Sequence, residues 1–393
     1  MRTSAKSGLS RAAAILIVAC LVSIAAAGQG TPHYLVSNDD LSQFVTTVSF
    51  YSIGADGLLS SQTSVPTGGY GIGGGYFGLN RLAVINNSDN QCVYASEATT
   101  GDIVGIAVSN LTVLSSTFGS ANDTGVSNGI GLTTNGQYLY ASYTDTSNIG
   151  TFQIEPNCSL SFINDLSVIG LQGGILDAMA AHGNLLVVTY GDGSIESFNI
   201  SGGTPVSNGD EQNSTAATAA QGATYPSAID ITQDGHYAVF GDTSTSVVVE
   251  VSDISSGKLT KTVAYNNGFS ISASNILLSP DETMLFISDT QGDRVSAAFF
   301  NSSTGQVSAG CTSDLLKGYS SHWSYLGGLA LASTAGNGGG VYVTEFGAPG
   351  TIGMVEVSSS SGKCSLKEAP HSPKPDLKSK GLLSIATFPP RSF

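Results

Sequence analysis

Short runs in which hydrophobic and polar residues alternate recur along the chain. "TVSFYSI" (Thr47 to Ile53), "SIESFNI" (Ser194 to Ile200), "SVVVEVS" (Ser246 to Ser252) and "TIGMVEV" (Thr351 to Val357) are four of them. A period of two is the mark of a β-strand whose side chains point to opposite faces. No stretch carries the 3.6-residue spacing of an amphipathic helix. Lys, Glu and Arg are scarce, and β-branched residues, Gly and Ser take their place, so the pattern predicts an all-β chain.

Each alternating run follows a more uniformly apolar one that ends in a hydroxyl residue (Gly241 in one case) and then a polar or aromatic residue. These anchors are "YLVSN" ending at Asn38, "VYASE" at Glu97, "LYASY" at Tyr143, "LVVTY" at Tyr190, "VFGD" at Asp242, "LFISD" at Asp289 and "VYVTE" at Glu345. Successive anchors lie 46 to 59 residues apart, the period of a four-stranded propeller blade. Ahead of an anchor stands a short apolar run and a tight turn, as in "PSAIDITQDGHY" (Pro226 to Tyr237) and "ASNILLSPDETM" (Ala273 to Met284). Asp-Gly, Asn-Gly and Pro-Asp suit that turn. A more polar strand closes each unit, as in "GKLTKTVAY" (Gly257 to Tyr265), which fits an outer edge facing water.

The two ends predict how the ring closes. The first unit starts on its anchor at Tyr34 and has no inner strand, whereas "GLLSIATFPP" (Gly381 to Pro390) reads as an inner strand with nothing after it. The C-terminus is therefore expected to supply the innermost strand of blade 1 and hide two exposed edges. The expected fold is a seven-bladed β-propeller of four-stranded antiparallel blades, one domain over residues 28–393.

The repeated "YVT" or "YAS" followed by Asn, Glu or Asp, with "YVTE" at Tyr342 to Glu345 as its fullest copy, resembles the YVTN β-propeller repeat family and its lactonase-like relatives. The resemblance runs over about residues 33–390; NHL-type propellers are a close alternative. It implies the fold strongly and the chemistry weakly, because propellers host many activities. Enzymatic relatives of the 6-phosphogluconolactonase-like and carboxymuconate-cyclase-like kinds bring His, Arg and Glu into a central pocket, often through a Pro-x-His or Pro-Arg-His lead. The matching leads here, "YPSAIDI" (Tyr225 to Ile231) and "SISASNIL" (Ser270 to Leu277), hold neither His nor Arg. Arg81 and Arg294 are the only arginines between residues 28 and 390. A pocket that clamps a phosphosugar or a tricarboxylate needs cations, so the chain departs from that pattern where the chemistry would sit.

Residues 1–27 stand apart from the repeats. Arg2, Lys6 and Arg11 precede an apolar run from Ala12 to Ala27 that ends in small residues, which is the layout of a secretory signal peptide. The run is too short to span a bilayer; a lipoprotein box ending at Cys20 is the alternative. An exported location, secreted or periplasmic, is expected. Cleavage would move the formal charge from −15 to −18. Such a body repels phosphate backbones and anionic lipid, which excludes nucleic-acid binding and leaves small cations, neutral sugars or basic partners. In an exported chain, Cys92, Cys158, Cys311 and Cys364 suggest two disulfides with three connectivities. Cys92–Cys158 with Cys311–Cys364 is favoured, since Cys92 and Cys158 fall near the face opposite the anchor ends. Asn86, Asn110, Asn122, Asn157, Asn199, Asn213 and Asn301 head glycosylation sequons, a pattern that this Asn-, Ser- and Thr-rich composition also generates by chance.

The anchor ends share one rim of the channel with the loops between blades. Glu97, Asp242, Asp289 and Glu345 on that rim read either as a ligand or cation ring or as caps that accept backbone N–H bonds. "SDTQGD" (Ser288 to Asp293) makes Asp289 and Asp293 weak Ca²⁺ candidates. His322, Trp323 and Tyr325 in "GYSSHWSYLGG" (Gly318 to Gly328) are expected on the same rim, where aromatics suit sugar or apolar ligands; Trp323 plugging a blade interface is the other reading. "TGGYGIGGGYFG" (Thr67 to Gly78) and "SNGDEQNSTAATAAQGATYPS" (Ser207 to Ser227) are long loops of this rim, and "APHSPKPDLKSKG" (Ala369 to Gly381) reads as a solvated tether. Two functions follow. One is a monomeric, non-enzymatic scaffold that binds a small ligand or an extracellular protein through its loop-rich rim, with no cofactor. The other is a lactonase-like hydrolase with a diverged pocket, for which His322 and Glu345 are the catalytic candidates, with Asp289 and Glu97 beside them.

Overall fold

Each predicted anchor is the second strand of a blade. These strands are Tyr34–Asn38, Gln91–Glu97, Tyr138–Tyr143, Leu185–Tyr190, Tyr237–Asp242, Met284–Asp289 and Gly340–Phe346. The computed structural model describes residues 33–41, 44–73, 80–119, 129–214, 226–242, 249–265, 273–289, 293–314, 316, 325–332, 339–346, 350–360, 362–376 and 384–390. They form seven antiparallel sheets, one per blade. Blade 2 shows the pattern, with Leu82–Asn86 innermost, then Gln91–Glu97, Asp102–Ala107 and Thr112–Phe118 outermost. The outermost strand has the burial pattern of an edge, with residues from Thr112 to Phe118 alternately exposed and half-buried.

The ring closes as its ends predict. Ser384–Phe388 pairs antiparallel with Tyr34–Asn38, Tyr34 opposite Phe388 and Asn38 opposite Ser384. The first and last blades are thereby joined, and neither edge is left open.

The core is not central. It is divided among seven apolar clusters, one at each contact between neighbouring blades. Between blades 3 and 4, Tyr140 and Ile149 meet Leu176, Leu186 and Val188. Burying a side chain of this kind contributes about 1.5–3 kcal/mol, and the repeat distributes that gain around the ring. Both disulfides cross such contacts. Cys92–Cys158 joins blades 2 and 3, and Cys311–Cys364 joins the outer strands of blades 6 and 7, each with a Cα–Cα distance of 5.6 Å. This is the favoured pairing.

The repeated hydroxyl of the anchor has a structural job at these contacts and within blades. Ser96 Oγ donates to the Ile130 carbonyl of blade 3 at 2.7 Å, and Ser288 Oγ donates to the Gly327 carbonyl of blade 7 at 2.8 Å. In blade 4, Thr189 Oγ1 accepts the Ala178 N–H at 3.1 Å. The motif thus supplies a small partner for backbone groups that the ladder leaves over.

Two features differ from the sequence expectation. Blade 4 ends in two short pieces, Val206–Ser207 and Gln212–Asn213, both on its third strand. The stretch expected as a solvated tether is partly docked: Lys374–Pro375 pairs with the third strand of blade 7, and Asp376 is fully buried. Ser37 and Gln62 of blade 1 donate to the Asp376 carboxylate at 3.2 and 3.1 Å. Composition alone marked this segment as loop; the side chains that bind Asp376 lie more than 300 residues earlier.

Candidate ligand-binding rim and channel

The seven inner strands surround a channel holding a cavity of about 230 Å³. Its wall is mainly aliphatic, with Leu82, Met179, Ile229, Ile276, Leu329 and Ile385 contributed by six different blades. Polar side chains are the minority on it, and Asp230 and Thr133 serve the strands. Asp230 accepts the N–H of Ile231 at 2.8 Å and that of Leu278, on the next blade, at 2.8 Å. Thr133 Oγ1 accepts the Ala181 N–H of the next blade at 3.0 Å. Among the described residues, neither His nor Arg lines this cavity. Its wall therefore offers van der Waals contact and no fixed charge to hold an anion.

The anchor ends come together on one rim, but inside the protein surface. Glu97, Asp242, Asp289 and Glu345 are all buried, none more than 3% exposed. Glu97 accepts a bond from the Thr67 hydroxyl and the Gly69 N–H at 3.3 Å. Both belong to the connection from blade 1, so Glu97 caps a neighbour's loop rather than its own turn. Burial pushes its carboxyl up to about 8. Glu345 accepts the Thr351 hydroxyl at 2.6 Å, and burial raises it to about 7. Both carboxyls hold a proton at mildly acidic pH, which suits a buried donor more than a cation ligand.

His322 and Trp323 lie outside the described residues. Tyr325 opens the inner strand Tyr325–Ala332 of blade 7, which places its backbone at the rim end of that strand. Asp289 and Asp293 flank the connection between the second and third strands of blade 6, whose residues 290–292 lie outside the described set. No group of three or more His, Cys, Asp or Glu able to hold a metal occurs among the described residues.

Three buried acids near this rim were not singled out by the sequence. Asp40 forms an ion pair with Arg81, both 1% exposed. The pair ties blade 1 to blade 2: Asp40 also accepts the Ile72 N–H at 3.2 Å, and the Arg81 N–H donates to Ser384 Oγ of the closing strand at 2.9 Å. Gly129 lies over the guanidinium with φ +106°, and a Cβ there would crowd it. Asp39 accepts the hydroxyls of Ser37 and Ser49, each at 2.7 Å, and that of Thr47. Burial and the neighbouring Asp376 push Asp39 up to about 8. Asp177, on the inner strand Leu176–His182 of blade 4, is 2% exposed, and neither carboxyl oxygen has a hydrogen-bond partner. Burial raises its carboxyl well above the usual range. It sits where the pairing with Leu185–Tyr190 shifts register between Leu176 and Met179. The available signal was a lone acid in the otherwise apolar run "LDAMAA".

The protein is a seven-bladed β-propeller. No protein-family model matches the chain, and no curated protein matches it. Solved structures do. One, provisionally assigned as a 6-phosphogluconolactonase, from Bacteroides uniformis, has a TM-score of 0.65 at 13% identity, covering 91% of this chain and 100% of its own. A second with the same provisional assignment, from Bacteroides fragilis, has a TM-score of 0.63 at 16% identity, covering 91% and 98%. A protein of unknown function from Desulfotomaculum acetoxidans has a TM-score of 0.60 at 15% identity, covering 90% and 98%. At these identities the likeness is one of fold.

Proposed function

We propose that this chain is an exported propeller that works by binding, through the rim onto which its blade-connecting loops open, rather than by hydrolysis in its channel. The observation that carries this reading is the channel wall. Among the described residues it is mainly aliphatic, its carboxylate Asp230 accepts two backbone N–H bonds, and no His or Arg faces it. Hydrolysis of a lactone needs a positioned base and donors aimed at the developing oxyanion. Glu97 and Glu345 are buried and hydrogen-bonded at the rim. The two disulfides and the signal-like start at residues 1–27 support an extracellular or periplasmic location, and no helix among the described residues is long and apolar enough to cross a membrane. The binding reading invokes no resident cofactor.

The alternative, a diverged lactonase, rests on the YVTN-type repeat and on the provisional names of two structural neighbours. His322 and Glu345 would be its catalytic pair, with Asp289 and Glu97 beside them. A lactone-hydrolysis assay with purified protein separates the two, run beside a thermal-shift panel of lactones, neutral sugars and Ca²⁺. The binding reading expects no turnover. Turnover that is lost in both His322→Ala and Glu345→Gln would overturn it.

A further inference from the structure

The two halves of the ring have different surfaces. Every large hydrophobic residue exposed among those described falls between Phe44 and Val206, in blades 1 to 4. The same part of the chain is almost without cations. From residue 28 to residue 257 the sequence holds a single Lys or Arg, Arg81, and it is buried against Asp40.

The apolar exposure is most concentrated on the loop from blade 3 to blade 4. Ile169 is 65% exposed, Leu171 49% and Ile175 40%. This loop is built, not loose. Asp192 Oδ2 accepts the N–H groups of Gln172 at 2.7 Å and Gly174 at 2.9 Å. Asp192 Oδ1 takes the Ser194 hydroxyl at 2.6 Å, and Ser194 Oγ in turn accepts the Leu171 N–H at 3.2 Å. Gly170 and Gly174 close the loop on each other at 2.9 Å, and a Cβ on Gly174 would collide with Asp192. Holding three aliphatic side chains out in water costs free energy that a fixed loop does not recover by collapsing, so this geometry favours a surface meant to be covered. The acids Asp192, Glu196 and Glu211 lie close enough to influence one another's ionisation, and the adjoining sequence has no cation to offset them.

We propose that this loop docks a basic polypeptide segment whose cations are interspersed with aliphatic side chains. The inference rests on the binding reading above and names its partner class. Ile169, Leu171 and Ile175 supply the contact area. The net negative charge of this half of the ring, where the only Lys or Arg between residues 28 and 257 is buried, supplies orientation and speed of encounter, and disfavours acidic partners.

The test uses the full mature protein and labelled synthetic peptides followed by fluorescence anisotropy. One peptide alternates Lys and Leu, a second Glu and Leu, a third Lys and Ser. The first should bind, more weakly as salt rises, and the other two at least about tenfold more weakly. The double variant Ile169→Ser with Leu171→Ser should lose about tenfold in affinity for the Lys–Leu peptide, the worth of about one aliphatic side chain. Its melting temperature should stay unchanged, since Asp192 still holds the loop. Equal binding by the double variant, or by the Glu–Leu peptide, would overturn the proposal. Self-association that disappears in the double variant, with no peptide binding, would also overturn it and make a second copy the occupant. Lactone turnover in the same preparation would sink the binding reading, whichever way the peptides behave.

Discussion

Blades 1 to 4 and blades 5 to 7 share a strand plan and differ in what they do with charge. In the first group the lone cation, Arg81, is spent inside, where it neutralises Asp40 and ties blade 1 to blade 2. In the second, Lys258 and Lys261 lie on the surface, and none of the described large hydrophobics is exposed. The same architecture thus carries a sticky, acidic flank and a more ordinary, mixed-charge one. The blade repeat sets the fold, and the proposed docking surface lies where the ring departs from uniformity.

The comparison can be broken most severely at Arg81. Removing it strands Asp40 as a buried, uncompensated charge, so Arg81→Ala should cost about 3–5 kcal/mol. Lys261→Ala, in the other half and exposed, should change stability by less than about 0.5 kcal/mol. Urea unfolding of both variants measures this; equal costs would mean that Asp40 simply takes up a proton and the pair is dispensable.

A smaller loss is expected at the two staples, one in each half. Replacing Cys92 and Cys158 by Ala should cost about 2–4 kcal/mol by freeing the unfolded chain. The corresponding change at Cys311 and Cys364 closes a slightly shorter span, 53 residues against 66, and should cost nearly the same, because loop entropy grows slowly with length. A large inequality between the halves in thermal denaturation would show that blades 2–3 and 6–7 do not unfold as one unit.

The most graded effect is that of pH. Asp39, Glu97 and Glu345 have folded-state pKa values pushed up to about 8, 8 and 7. A carboxyl raised on folding stabilises the protein below its unfolded value, near 4, and that contribution fades as pH rises through the folded value. Melting temperature should therefore fall from about pH 5 to pH 8. Asp192 and Asp281, lowered on folding by the hydroxyl and N–H bonds they accept once burial is offset, act oppositely and erode stability on the far acid side. Asp39→Asn should flatten the fall at neutral pH; an unchanged slope would place the titration elsewhere.

Much of the fold was legible because it is local. An anchor such as "YLYASY" carries its own apolar run and its hydroxyl, the tight turn and the alternating run stand beside it in sequence, and repetition multiplies a weak signal. The closing strand was legible from a mismatch at the two ends. The site was not. Glu97 could be placed on the rim from strand order, but whether it faces water or caps a neighbour's loop depends on Thr67 and Gly69, across a blade contact. Asp376 looked like part of a solvated tether until Ser37 and Gln62 were brought to it.

By itself, then, the order of residues determined the strand periodicity, the blade count and the ring closure, because each follows from short-range pattern or from a mismatch at the chain ends, and it favoured one of three cysteine pairings. Tertiary structure alone decided which acids are buried, where the lone cation goes, how Asp177 comes to sit unpartnered at a register shift, and which loop holds its aliphatic side chains out to solvent. Burial and charge pairing are properties of neighbours, and in a propeller the neighbour across each blade contact is supplied from tens to hundreds of residues away.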